Sequence, residues 1–214
     1  MVAQSLRREL VRAGRDLYRQ GMMAGASGNL SARLDAERLL ITPSGRPKGR
    51  LRSGDLLVID LHGNLLEGEG KPSAETAMHL AIYRRYPAVQ AVCHTHPLKA
   101  SALAAAHRPI PVDTLPEALL TLGSIPLVPF LPSATHALGE AVADALADAD
   151  GALLLNHGAV TIGLSVEVAR MKMEILEALA DTAIQTHLLG GGVPLPSHEV
   201  ERLQAIWRRR RWQG

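Results

Sequence analysis

The chain has 214 residues, 47% hydrophobic, 21% charged and 3% aromatic, with a formal net charge of +2. That is the balance of a soluble single domain whose core is built from Leu, Ala, Val and Ile. It excludes a strongly basic nucleic-acid binder, a membrane span, for which a run of ~18 apolar residues is missing, and an internal disulfide, since Cys93 is the single cysteine.

In chain order, "SLRRELVRAGRDLYRQG" places Leu6, Leu10, Val11, Leu17 and Tyr18 near helical spacing, with Gly21 as a stop. The opening "MVAQSLRREL" has no uninterrupted apolar core, so no signal peptide is expected. With a lone cysteine, this points to a reducing cytoplasm. "NLSARL" and "RLLIT" read as short strands, and "DLLVIDLHGNLLEG" as a strand, a turn at "HGN" and a second strand. Ser73 is expected to cap the next helix, with Glu75 in its first turn, and that helix stops before Pro87.

"AVQAVCH" is a strand, "PLKASALAAAH" a helix, and "IPLVPF" an edge strand because of its prolines. A helix over "SATHALGEAVADALADAD" leads to "GALLLNHGAVTIG", read as strand, turn and strand. A long helix follows in "SVEVARMKMEILEALADTAIQTHLLGG", and residues 193–214 form a helical tail. Its basic run, Arg208 to Arg211, reads as a solvated helix end suited to the negative pole of the helix dipole. The competing reading is contact with an anionic partner or closure over a phosphate substrate, that of a neighbouring subunit included. Interleaved helices and turn-linked strands imply a mixed sheet with helices on its faces.

"VCHTHP" holds the most informative residues. In a strand, i and i+2 share a face, so His94 and His96 would project side by side and favour a shared cation. His157 follows the apolar run "ALLLN" at another strand end. Three histidines with an open position describe a catalytic metal site. Glu75 could act beside it as a base, although alone it would read as a residue complementing the helix dipole. His79 lies four residues on, on the same helix face, where it could steady the site from behind. His62, His107, His136, His187 and His198 read as turn, surface or helix-face residues.

The loops "GASGNLS", "TPSGRPKG" and "KPSAE" carry small residues with free amides beside hydroxyl or amide side chains. One such loop is usually a turn; three beside a metal constellation make a phosphate site plausible.

Assembled in order, "SGNLS", "TPSG", "PSAE", "HTHP" and "NHG" resemble the class II aldolase/adducin-head family, in particular the L-fuculose-1-phosphate aldolase type, over about residues 5 to 190. The resemblance implies one α/β domain over residues 1–214, a three-layer α/β/α sandwich around a central, largely antiparallel mixed sheet. It also implies a fourfold homotetramer with active sites at subunit interfaces. It makes His94, His96 and His157 ligands of Zn2+, with Mn2+ or Co2+ as alternatives. Glu75 would be the acid/base and would approach the metal when substrate is absent. Gly28, Asn29, Ser44, Gly45, Ser73 and the amide of Ala74 would cradle a phosphate. The implied reaction is reversible cleavage of a ketose 1-phosphate to dihydroxyacetone phosphate and a small aldehyde.

Two departures from the family pattern stand out. Ala74 replaces a serine, which removes one hydroxyl. Leu115 stands where these aldolases carry a tyrosine for the aldehyde half, and Glu117 in "TLPEAL" is the candidate to take that role, against a plainer reading as a helix-start carboxylate. The scaffold also hosts pentulose-phosphate 4-epimerases, against which Glu75 argues, a methylthioribulose-phosphate dehydratase and sugar-acid phosphate decarboxylases. A non-catalytic adducin-like binding domain is disfavoured by the intact histidines and Glu75.

Overall fold

A computed structural model describes residues 2–213. Eight strands form one sheet: β1 (Asn29–Arg33), β2 (Arg38–Ile41), β3 (Leu57–Asp60), β4 (Leu65–Glu67), β5 (Ala91–Thr95), β6 (Leu127–Val128), β7 (Gly151–Leu154) and β8 (Gly158–Gly163), in the order β4-β3-β2-β1-β5-β8-β7-β6. Every neighbouring pair is antiparallel except β6 with β7. The proline-flanked β6 is an edge strand, as its sequence predicts, because proline cannot donate to a second neighbour.

Among the described residues, seven α-helices cover the sheet: α1 (Val2–Arg19), α2 (Thr76–Arg85), α3 (Leu98–Ala105), α4 (Pro116–Leu122), α5 (His136–Ala145), α6 (Val166–Leu188) and α7 (Ser197–Arg210). The strand period sorts the core into two layers. Leu30, Ala32, Ala91 and Cys93 face α1, α3, α4 and α6. Val92, Val160 and Ile162 face α2 and α5. The molecule is therefore the expected three-layer α/β/α sandwich. Buried on both sides, β5 reads as a continuous apolar run that ends in His94. Among the described residues, no helix is long and apolar enough to cross a membrane.

Local signals account for most helix boundaries. Thr135 and Ser165 cap α5 and α6, their hydroxyls accepting from Leu138 N at 3.2 Å and Val168 N at 3.1 Å. Helix α2 differs from expectation. It begins at Thr76, Glu75 takes the N-cap position, and the Ser73 hydroxyl accepts from Glu75 N at 3.2 Å in a turn before the helix. The Glu75 side chain makes no cap bond because other groups claim it.

The tail also departs from a simple solvated end. Leu203 and Trp207 of α7 are buried, with Trp207 against Gly123 at the end of α4. Arg208 to Arg210 are exposed as expected. Arg211 is not: its side chain is 7% exposed and pairs with Asp150 at 2.8 Å. It also donates to the carbonyls of Leu146 at 2.5 Å and Ala149 at 2.6 Å. Trp207 Nε1 and Lys172 Nζ complete the shell of Asp150 at 3.3 and 2.7 Å. Asp150 precedes β7 and His157 follows it. The tail is thus pinned at the opposite end of that strand from its own histidines and does not close over them.

Candidate metal centre

At one sheet end the face beneath α2 turns polar. Asn29 of β1 lies in register with His94 of β5, and His94 with Val160 of β8. His96 lies beyond β5, which ends at Thr95, and its amide donates to the Met22 carbonyl at 3.0 Å. The two histidines still meet as the strand pattern predicts, Nε2 to Nε2 at 3.2 Å. His157 comes from the β7–β8 turn, where Asn156 adopts φ +56°, a conformation asparagine tolerates. His107 steadies that turn through a 2.7 Å hydrogen bond to Asn156 Oδ1, a contact with no local sequence signal.

Two glycines of the motifs are fixed by close approach. A Cβ at Gly28 would sit 2.9 Å from the His94 carbonyl oxygen, and one at Gly158 would sit 2.5 Å from that of Thr95. Any larger residue would push apart the strands that carry the histidines.

Glu75, His94, His96 and His157 each aim one ligand atom into a single space, all within 4.8 Å of one another. Glu75 Oε2 is 3.0 Å from His94 Nε2, and Oε1 is 3.0 Å from His157 Nε2. No N–H is aimed at Oε1, which stays buried without a hydrogen-bond partner. His94 Nδ1 faces the Ala159 carbonyl at 2.9 Å. A carbonyl only accepts, so Nδ1 carries the proton and Nε2 offers a lone pair inward. Inward-facing lone pairs and a carboxylate repel without a cation between them. Around zinc at ~2.0–2.1 Å, tetrahedral ligands stand about 3.3 Å apart, close to the three contacts of 3.0, 3.0 and 3.2 Å here. The donor set fits a divalent metal.

Burial raises the Glu75 carboxyl, and positive charge on the histidine side, which a metal between the lone pairs would supply, outweighs it and holds the carboxyl well below the usual carboxylate range. Burial first, and positive charge beside it second, lowers His96 to about 4, which keeps it a neutral ligand. His79 is fully buried and lowered to about 3, by burial first and by His94 second.

Neutral His79 belongs to a chain of donors. His79 Nδ1 faces Ser31 Oγ at 2.6 Å, and Ser31 Oγ faces the Tyr83 hydroxyl at 3.0 Å. His79 Nε2 faces Asn29 Oδ1 at 2.5 Å, and Asn29 Nδ2 donates to Glu75 Oε2 at 2.8 Å. An amide oxygen only accepts, so the His79 proton sits on Nε2. The chain then runs one way: Tyr83 donates to Ser31, Ser31 to His79, His79 to Asn29 and Asn29 to Glu75. Every member points a donor toward the carboxylate.

Beside the cluster lies a pocket of about 260 Å³ lined by Gly28, Asn29, Ser44, Gly45, Ser73, Ala74, Glu75, His96 and His157. The residues expected to cradle a phosphate thus all line this pocket, although the Asn29 side chain is already engaged with Glu75. Sequence reasoning did not single out Lys48 and Ser133, which also line the pocket. Lys48 stood in plain view in "SGRPKG", a loop read for its small residues. Ser133 lies in a loop with no motif. Glu117 is not brought in: it is exposed on α4, outside this pocket. Leu115 packs against the core beneath α4.

A family model described as "Class II Aldolase and Adducin N-terminal domain" matches residues 8–184. The chain belongs to that family. An L-fuculose phosphate aldolase of Methanococcus maripaludis is 36% identical over 172 residues, 80% of this chain and 92% of the relative. A 3-oxo-tetronate 4-phosphate decarboxylase of Haemophilus influenzae is 34% identical over 175 residues, 80% and 83%. A methylthioribulose-1-phosphate dehydratase of Methylococcus capsulatus is 37% identical over 190 residues, 84% and 93%. A solved L-fuculose 1-phosphate aldolase superposes with a TM-score of 0.88 at 28% identity, covering 95% of this chain and 96% of that one.

Proposed function

We propose that this chain is a zinc-dependent aldolase, a carbon–carbon lyase that reversibly cleaves a ketose 1-phosphate, L-fuculose-1-phosphate-like or 5-deoxypentulose-1-phosphate-like, to dihydroxyacetone phosphate and a small aldehyde. The observation that carries the reading is the convergence of Glu75, His94, His96 and His157 on one space beside a pocket of glycine and serine loops. His94, His96 and His157 would hold the metal, with Glu75 beside them when substrate is absent. Bound there, zinc, manganese or cobalt would supply a Lewis acid for negative charge developing on the carbonyl oxygen.

In the synthetic direction the Glu75 carboxylate, held ionised by its neighbours, takes a proton from the carbon of dihydroxyacetone phosphate that will form the new bond. That carbon attacks the aldehyde, and the aldehyde oxygen gains a proton. Cleavage reverses each step, so Glu75 returns its proton to the same carbon. Asn29 keeps the carboxylate turned toward the substrate. Gly28, Ser44, Gly45, Ser73 and the Ala74 amide hold the phosphate.

Within one protomer the described pocket lining includes Ser133 but no tyrosine and no acid besides Glu75 for the aldehyde end. This supports a homotetramer with sites at subunit interfaces, in which Glu117, exposed on α4, serves a neighbour's pocket; the lone cysteine suits a cytoplasmic setting. Turnover left unchanged by Glu117→Gln would end that role. The missing tyrosine, and relatives named as a dehydratase and a decarboxylase at comparable identity, favour a second reading: methylthioribulose-1-phosphate dehydration or sugar-acid phosphate decarboxylation on the same metal and Glu75.

The test is release of dihydroxyacetone phosphate from L-fuculose, L-rhamnulose, 5-deoxyribulose and methylthioribulose 1-phosphates, with zinc and with a chelator. Metal-dependent release supports the aldolase. No release from metal-loaded protein moves the assignment to the second reading.

A further inference from the structure

The phosphate wall contains one lysine and no arginine. Lys48 lies in the single turn Lys48–Arg50, and its stem packs beneath Gly14 of α1, where a Cβ would come within 3.4 Å of the Lys48 Cβ. The residue is 2% exposed. Its ammonium donates to the Ala26 carbonyl at 2.7 Å, in the loop that leads to Gly28. That bond uses one of three donors. No carboxylate among the described residues forms an ion pair with it. The one charged group that acts on it is Glu75, whose attraction only partly offsets the lowering by burial.

A buried ammonium without a counter-ion is costly, and chains retain one where an anion arrives. The other lining groups of the phosphate wall are amides and hydroxyls, which orient an anion without neutralising it, and Ala74 supplies no hydroxyl. With a divalent metal at the histidines, the charges of Lys48 and Glu75 cancel. The pocket is then left with two positive charges, matched to a phosphate monoester dianion.

From this geometry we infer that Lys48 is the charged anchor of the phosphate subsite and selects phosphorylated over unphosphorylated ligands. The inference rests on the sugar-phosphate reading above and names the residue that enforces it. Lys48 touches the phosphate and takes no part in bond breaking.

The experiment is calorimetric titration of the metal-loaded full chain with glycerol 1-phosphate, and with glycerol as control, for the wild type, Lys48→Met, Lys48→Gln and Lys48→Arg. Loss of a charge-assisted bond predicts roughly 10- to 100-fold weaker binding of glycerol 1-phosphate by the Met and Gln variants. Lys48→Arg should keep most of the affinity, and glycerol should bind none of the four. If the Met and Gln variants do not fold, the wild type labelled with 15N-lysine decides, because the Lys48 Nζ resonance should move on addition of glycerol 1-phosphate. Unchanged affinity in the Met and Gln variants, a motionless resonance, or no binding by the wild type would overturn the inference. A lysine that only ties the Ala26 carbonyl would lower the melting temperature and leave affinity alone. The titration needs no turnover, so it separates failure of this inference from failure of the aldolase assignment.

Discussion

Two carboxylates, buried Asp150 and largely buried Glu75, stand at opposite ends of β7, and they are satisfied in opposite ways. Asp150, at the start, is ringed by permanent cations and a fixed donor: Arg211, Lys172 and Trp207. Glu75 meets His157 at the other end, and around it stand imidazoles and one amide, with one oxygen left unpartnered. The first carboxylate is complete within the chain and fastens the tail to the sheet. The second is complete only when something else arrives. Burial alone does not separate structure from function here; the unfilled partner does.

The sharpest way to break the comparison is to neutralise each carboxylate in turn. Glu75→Gln should lower turnover by roughly 10²- to 10⁴-fold, measured by steady-state kinetics, while denaturant unfolding shows a folded protein. Asp150→Asn should do the reverse. It strands Arg211 and Lys172 in a buried place and costs about 3–5 kcal/mol of stability, with turnover per folded molecule preserved. If both variants lost activity in proportion to stability, the two ends would not differ in kind.

A pH series sharpens the contrast. His79 titrates at about 3 in the fold, through burial first, against about 6.5 in an unfolded chain. Between those values the unfolded state binds the extra proton, so stability is full above the unfolded pKa and declines as pH falls toward 3. For metal-free protein we expect His79 to account for a loss of about 2 kcal/mol between pH 6.5 and pH 5, beside a loss of the same sign from His96, itself lowered to about 4, read by urea unfolding. The His79 share should be absent in His79→Gln, which keeps only the remainder. The smallest effect belongs to Asn29→Ala. It removes one hydrogen bond to Glu75 and should reduce turnover by roughly 10-fold, seen in kcat more than in KM.

The sequence displays some of these features and hides others for a physical reason. Strand alternation and helix punctuation are local, so the sheet with helices on both faces could be read directly, and so could the edge role of "IPLVPF". The three histidines were legible because His94 and His157 follow apolar runs and His96 stands two residues from His94. The rest depends on contacts between distant segments. Ser31 meets Tyr83, 52 positions away, and Asp150 meets Arg211, 61 away. Helix α4 showed only as a helix start at Glu117, and the Arg-rich tail looked solvated because nothing nearby announces Asp150. Ser73 failed as a cap for a related reason: the histidines claim Glu75, and α2 starts at Thr76 rather than Ala74, two residues later.

The central claim is that Glu75, His94, His96 and His157 form one metal centre. The most direct test is elemental analysis of purified wild type and His157→Ala. The account predicts about one zinc per wild-type chain, removable by chelator, and little in the folded variant. Zinc retained undiminished by His157→Ala, or a wild type that takes up none, would contradict it.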